Sequence, residues 1–276
     1  MPAILRPFSL GLLLDETFDI YRRNFLLFLG ISAIPNGALL LIQIVVVDAL
    51  DKPWNETGIG GYLAGIFFLV ATLLVPSIVT AATTFAVSDV YLDRPASIRN
   101  CFSRVSGRTL KVLAVSVMLG LVIGLGLLLC VAPGVYWAGV YGVAIPAVVL
   151  ENIPIRQALP RSSHLTRNFI GRVIVVYFLT SIFAAVMRYA LNACLLWLWP
   201  MIHPHLVHLT RDNLRDISST VAKILFGPVS AIGLTLLYYD LRVRKEAFDL
   251  DQMMALIGGA ENVAAEDAQR SAAGSQ

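Results

Sequence analysis

Six stretches of this chain are apolar for long enough to cross a bilayer, and Lys and Arg collect beside alternate ends of them. The stretches are 25–47, 62–87, 112–131, 135–150, 173–199 and 223–239. A helix rises 1.5 Å per residue, so about 20 apolar residues match a hydrocarbon core of about 30 Å. No water is present there to satisfy backbone N–H and C=O groups, so continuous apolar runs of this kind must be helical. The pattern predicts an all-α polytopic membrane protein with about six transmembrane helices in three hairpins. A charged, amphipathic segment precedes each hairpin and predicts a cytoplasmic surface helix.

Composition excludes the alternatives. Charged residues make up 14% of the chain and hydrophobic residues 57%; mean hydropathy is +0.75. Soluble domains carry about 25% charged residues. The formal charge of +3 is small, and the basic residues lie beside apolar spans, so nucleic acid is not an expected partner. Cys101, Cys130 and Cys194 have no paired spacing and read as free, buried thiols. Asp15, Glu16 and Asp19 interrupt the N-terminal segment, which is therefore not read as a cleavable signal.

Basic residues set an expected orientation. Arg6, Arg22 and Arg23 precede the first span; Arg94, Arg99, Arg104, Arg108 and Lys111 lie between the second and third. Arg156, Arg161, Arg167 and Arg172 lie between the fourth and fifth, and Arg242, Arg244 and Lys245 follow the sixth. The opposite side is balanced or uncharged. Lys52 faces Asp48, Asp51 and Glu56; the turn around Pro133-Gly134 has no charge; Arg211 and Arg215 are matched by Asp212 and Asp216. Both termini are expected to be cytoplasmic.

Residues 98–106 (IRNCFSRVS) parallel 155–163 (IRQALPRSS), with Pro95 and Pro154 just upstream, and Arg23-Asn24-Phe25 parallels Arg167-Asn168-Phe169. Internal similarity of this kind predicts pseudo-symmetric units. The expected organisation is an integral membrane domain, 1–255, holding pseudo-repeats at about 4–92, 93–152 and 153–250. The small, polar composition of 256–276 predicts a disordered cytoplasmic tail. In the first surface segment Leu10, Leu13, Leu14, Phe18 and Tyr21 form one face, and Asp15, Glu16, Asp19 and Arg22 the other. In the second, Ile98, Cys101, Phe102 and Val105 oppose Arg99, Ser103 and Arg104; in the third, Pro160 is expected to break or kink the helix. Arg22, Arg23, Arg99, Arg104, Arg156 and Arg161 are the expected contacts to anionic lipid headgroups, each contributing about 1 kcal/mol near a membrane surface. The simpler role for these helices is to cap the bundle and fix its orientation.

Three segments resemble a known family. They are Arg6-Pro7-Phe8-Ser9-Leu10-Gly11 with Asp19-Ile20-Tyr21-Arg22-Arg23-Asn24-Phe25, the centre from Ala132-Pro133-Gly134 through 144–151 to 155–159, and the exit 236–250 (LLYYDLRVRKEAFDL). Together they are similar to the bacterial glycerophosphoryl diester phosphodiesterase membrane domain family, over roughly residues 4–253. The resemblance implies a bacterial cytoplasmic membrane protein. In some relatives this region is joined to a phosphodiesterase barrel, for which this chain leaves no room; the resemblance supplies no catalytic residues.

Polar residues within the spans are the remaining candidates. Arg188, with Asn192 one turn later, lies inside the fifth stretch, either lining a cavity or sitting at the outer interface with its chain snorkelling. Pro35, Asn36, Pro76 and Pro228 can kink helices and free carbonyls that line a cavity, or serve packing alone. Thr80, Thr83, Thr84 and Ser88 near Asp89 are expected to bond to backbone or neighbouring helices. Gly120 and Gly124 have a GxxxG spacing that could face Ala138 and Gly142. His203, His205 and His208 form a weak ligand-like cluster on a loop; no metal or cofactor is assigned. Nucleophile-elbow, Walker and HExxH motifs are missing. The expected function is a non-enzymatic scaffold or accessory protein acting through lipid or protein contacts; the alternative is a small-solute or lipid transporter with an intramembrane cavity.

Overall fold

The computed structural model describes residues 9–50, 58–202 and 211–273, and every regular element among them is an α-helix. In chain order these are α1 (Leu10–Arg23), α2 (Phe25–Leu50), α3 (Gly58–Tyr91), α4 (Ile98–Ser106), α5 (Thr109–Leu129), α6 (Val131–Tyr141), α7 (Ala144–Glu151), α8 (Ile155–Thr166), α9 (Ile170–Ile202) and α10 (Arg211–Ala273). Six segments among the described residues are long and apolar enough to cross a membrane: Phe25–Val46, Ile59–Tyr91, Thr109–Leu129, Val131–Glu151, Ile170–Leu195 and Arg215–Glu246. The protein is an all-α, multi-pass membrane protein.

The order short helix, span, span occurs three times, with α1, α4 and α8 in the short position and α6 with α7 together making the fourth span. Within each pair α2 packs on α3, α5 on α6, and α9 on α10. Between pairs α3 packs on α5, α6 on α9, and α10 returns to α2, so the chain closes on itself. The second members, α3, α7 and α10, also touch one another and form the centre. There Ala81, Ala82, Phe85 and Ala86 of α3 meet Ala147 of α7 and Ile232, Leu236 and Leu237 of α10, all buried in one cluster. Small side chains on α3 let larger ones from α10 fill the middle. The first members turn apolar faces outward, such as Leu121, Leu125 and Leu128 on α5 and Val175, Phe178 and Ile182 on α9. Outward-facing residues of this size are stable only where lipid is the solvent.

Each short helix covers the second member of the preceding pair: α4 lies on α3, α8 on α7, and α1 on α10. Ser9 caps α1 by accepting from the Leu12 amide at 3.2 Å, and Leu13, Thr17 and Ile20 form its buried stripe.

Several expectations are corrected. The fourth span is two helices, broken at Gly142-Val143; Pro146 occupies the first turn of α7, where its missing N–H costs nothing. The turn between the third and fourth spans pivots on Cys130, in extended backbone, and Pro133-Gly134 lie inside α6. Gly120 and Gly124 face open space, and the close approach is made by Gly126, where a Cβ would sit 2.8 Å from the Gly134 Cα and 2.6 Å from the Trp137 ring. Gly139 and Gly142 face α9 rather than α5, against Ile170, Ile174 and Val173. Pro160 does not break α8, because that helix is fastened from its other face. Ser162 and Thr166 hydroxyls both donate to the Val140 carbonyl at 2.9 Å, at the end of α6. The helix α10 is drawn through residues 256–273 to Ala273. Of the cysteines only Cys101 is buried; Cys130, between α5 and α6, and Cys194, on α9, are exposed.

Candidate functional site: an ionic layer joining the helix pairs

The second span of each pair carries an acid near its end: Asp89 on α3, Glu151 on α7 and Asp240 on α10. Arg104 of α4 donates Nη1 to both Asp89 oxygens, at 2.9 and 2.7 Å. Its guanidinium lies 4.2 Å from the centre of the Phe85 ring, and that of Arg108 lies 5.2 Å from the same ring. Arg161 of α8 grips Glu151 through Nε at 2.8 Å and Nη2 at 2.7 Å. The same Nη2 reaches Glu246 at 2.7 Å, whose other oxygen accepts from Arg242 Nε at 2.7 Å. Tyr238 donates its hydroxyl to Glu151 at 2.7 Å, and Tyr239 shares a hydrogen bond of 2.8 Å with Ser88. Asp240, 1% exposed, pairs with Arg172 of α9 and Arg244 of α10, each at 3.1 Å.

Charges taken out of water are stable only when paired and hydrogen-bonded, and each acid here has at least one guanidinium in contact. The bonds with Glu151 push the Arg161 pKa up, so its guanidinium stays a cation. Burial, and then the Asp89 charge, pushes the Cys101 thiol up, so it stays neutral. Burial likewise raises the Tyr21 phenol, which donates to the Leu225 carbonyl and ties α1 to α10. Chemically the layer is a clamp. Its carboxylates are held in place by guanidinium groups that reach them from neighbouring helices.

No family model, curated protein or solved structure matches this chain. Much of the clamp comes from two stretches of the chain: Glu151 ends α7, and Tyr238, Tyr239, Asp240, Arg242, Arg244 and Glu246 all lie within residues 236–250 of α10.

The six arginines expected at lipid headgroups occupy three environments. Arg104 and Arg161, which the internal similarity places over one another, make the same contact: each grips the acid ending the preceding span. At the corresponding place in α1 stands Thr17, fully buried, donating to the Leu13 carbonyl at 2.7 Å beside Gly233. Arg22 and Arg23 share Asp19, at 3.7 and 2.8 Å. Arg99 and Arg156 are exposed and have no carboxylate partner among the described residues.

The expected cavity residues do not converge. Pro76 lines a cleft of about 280 Å³ with Thr72, Ser77, Thr80 and Ser116, between α3 and α5. Arg188 lines a different cleft, between α9 and α10. Asn36 spends its amide on the Ser32 carbonyl at 2.8 Å, and Asn192 on the Arg188 carbonyl at 3.0 Å while accepting from Ser218. Pro228 is buried and Pro35 half-buried within their helices. His203, His205 and His208 lie outside the described residues. Nothing local in the sequence marks Arg172 and Asp240 as a pair. The two are 68 residues apart, and only the meeting of α9 with α10 joins them.

Proposed function

We propose that this protein is a non-enzymatic scaffold or accessory protein of a bacterial cytoplasmic membrane, related to the glycerophosphoryl diester phosphodiesterase membrane domain family, with both termini in the cytoplasm. The observation that carries this reading is the close-packed centre of α3, α7 and α10, closed at one end by an internally paired ionic layer. In that centre the Thr84 and Thr235 hydroxyls bond to carbonyls of their own helices, and the charges of the ionic layer are spent on holding the helix pairs together. Arg99 and Arg156 are left to meet anionic headgroups at the same end, which fits a cytoplasmic face.

The test uses protein reconstituted in vesicles of phosphatidylglycerol and phosphatidylethanolamine. The reading expects no solute flux and no lipid scrambling above protein-free vesicles. It expects Arg99→Glu with Arg156→Glu to lower the enrichment of phosphatidylglycerol around the protein. Flux or scrambling that scales with protein, or enrichment unchanged by the double variant, contradicts it. Orientation is read from thiol labelling: a cysteine at Ser106 reacts from the cytoplasm and one at Trp54 from the outside.

A transporter is the second reading, favoured by the cleft between α3 and α5. Its wall holds the Ser116 hydroxyl, buried and without a partner among the described residues. Flux abolished by Ser116→Val with the fold intact selects that reading.

A further inference from the structure

Arg188 on α9 and Lys223 on α10 line one cleft of about 240 Å³, with Ser181, Ala184, Gly227 and Ser230. Arg188 lies sixteen residues along α9 from Arg172, and Lys223 seventeen residues back along α10 from Asp240. At 1.5 Å per residue both stand about 25 Å from the ionic layer. The pairing of Arg172 with Asp240 at 3.1 Å sets the antiparallel register that brings them level.

Neither cation has a carboxylate partner among the described residues. Asp216, two turns from Lys223 along α10, is engaged by Gln43 Nε2 at 2.9 Å. Arg188 lies near the ring of Tyr189, 5.3 Å from its centre. Both side chains are exposed, and about 25 Å from the ionic layer across a hydrocarbon core of about 30 Å they stand near the opposite membrane boundary. Two cations lining one cleft repel. The cleft is also open: a Cβ at Gly227 would meet nothing within 4 Å. An anion seated between the two cations offsets this repulsion, and a phosphate ester presents acceptor oxygens to a guanidinium and an ammonium together.

We propose that this cleft binds a phosphate-class anion, held between Arg188 and Lys223. The site lies far from the arginines of the ionic layer and from Arg99 and Arg156, and it does not depend on the scaffold reading. The phosphate belongs either to a phospholipid, whose chains would lie along the exposed Ile182 and Val186 of α9, or to a soluble ester.

The experiment takes purified, delipidated protein in neutral detergent. Binding of phosphatidylglycerol is followed by native mass spectrometry, and binding of inorganic phosphate by equilibrium dialysis. Saturable binding of either probe, weakened at least tenfold in Arg188→Gln with Lys223→Gln, supports the proposal; Arg188→Lys keeps most of it. Phosphatidylglycerol binding that millimolar phosphate does not displace identifies the lipid source, and phosphate binding alone identifies the soluble one. Gly227→Leu fills the cleft with both charges in place and must also weaken binding, which decides the matter if the double variant fails to fold. Binding of both probes that is absent in the wild type, or unchanged in Gly227→Leu and in any folded double variant, overturns it.

Discussion

Asp240 and Asp89 look alike in sequence, each an acid beside a tyrosine or serine at the end of a span, yet their loss should cost different amounts. Asp240 has a fully buried side chain, and its partners Arg172 and Arg244 keep 16% and 27% of their side-chain exposure. Asp240→Asn strands two partly buried cations and should destabilise by about 3 kcal/mol. Arg104 is 41% exposed, so after Asp89→Asn its guanidinium can reach water, and the cost should be about 1 kcal/mol. Thermal unfolding in detergent at fixed lipid content checks the order of the two midpoints. Cys101 gives a pH signature. Its folded pKa is raised, so its contribution is full below the ordinary thiol value and is lost as pH rises through the folded value. Wild-type protein should therefore lose stability above about pH 8.5 by an increment that Cys101→Val lacks. A difference between the two that does not vary with pH would count against the buried neutral thiol.

Helix–helix contacts turn on glycines that the sequence pattern did not select. Gly126→Ala and Gly134→Ala push a methyl into backbone atoms under 3 Å away and should each cost about 1–3 kcal/mol. Gly120→Ala and Gly124→Ala, although they fit the GxxxG spacing, should stay within about 0.5 kcal/mol of wild type, since nothing stands within 4 Å. Comparing the four melting midpoints tests the packing of α5 on α6. These elements show what could be read beforehand. The spans were legible because lipid demands about 20 apolar residues whatever their neighbours, and the amphipathic stripes of α1 and α4 because helical spacing is local. The break between α6 and α7 depends on Pro146 acting with Ser162 and Thr166 of another helix, and Pro160 is tolerated for the same non-local reason. Asp240 with Arg172, and Arg188 with Lys223, join residues that only the meeting of α9 and α10 brings level. Local spacing therefore flagged Arg188 but not its companion.

At the scale of the whole molecule, three helix pairs are closed into one bundle by the return of α10 to α2, with α3, α7 and α10 at the centre. The short helices belong to this closure, since each covers the last helix of the pair before it and two carry the arginine that grips that helix's acid. The arrangement makes the ionic layer a joint between units, so damage there should loosen the whole bundle. A direct measurement is available at the centre, where the hydroxyls of Thr84 on α3 and Thr235 on α10 lie 3.4 Å apart although 151 residues separate them. With Cys101, Cys130 and Cys194 replaced by alanine, Thr84→Cys with Thr235→Cys should form an intramolecular disulfide on mild oxidation in the membrane, seen as a reducible mobility shift of the monomer. A control pair, Thr84→Cys with Val186→Cys, should not. Failure of the central pair to cross-link, or cross-linking only between molecules, would contradict a closed three-unit bundle.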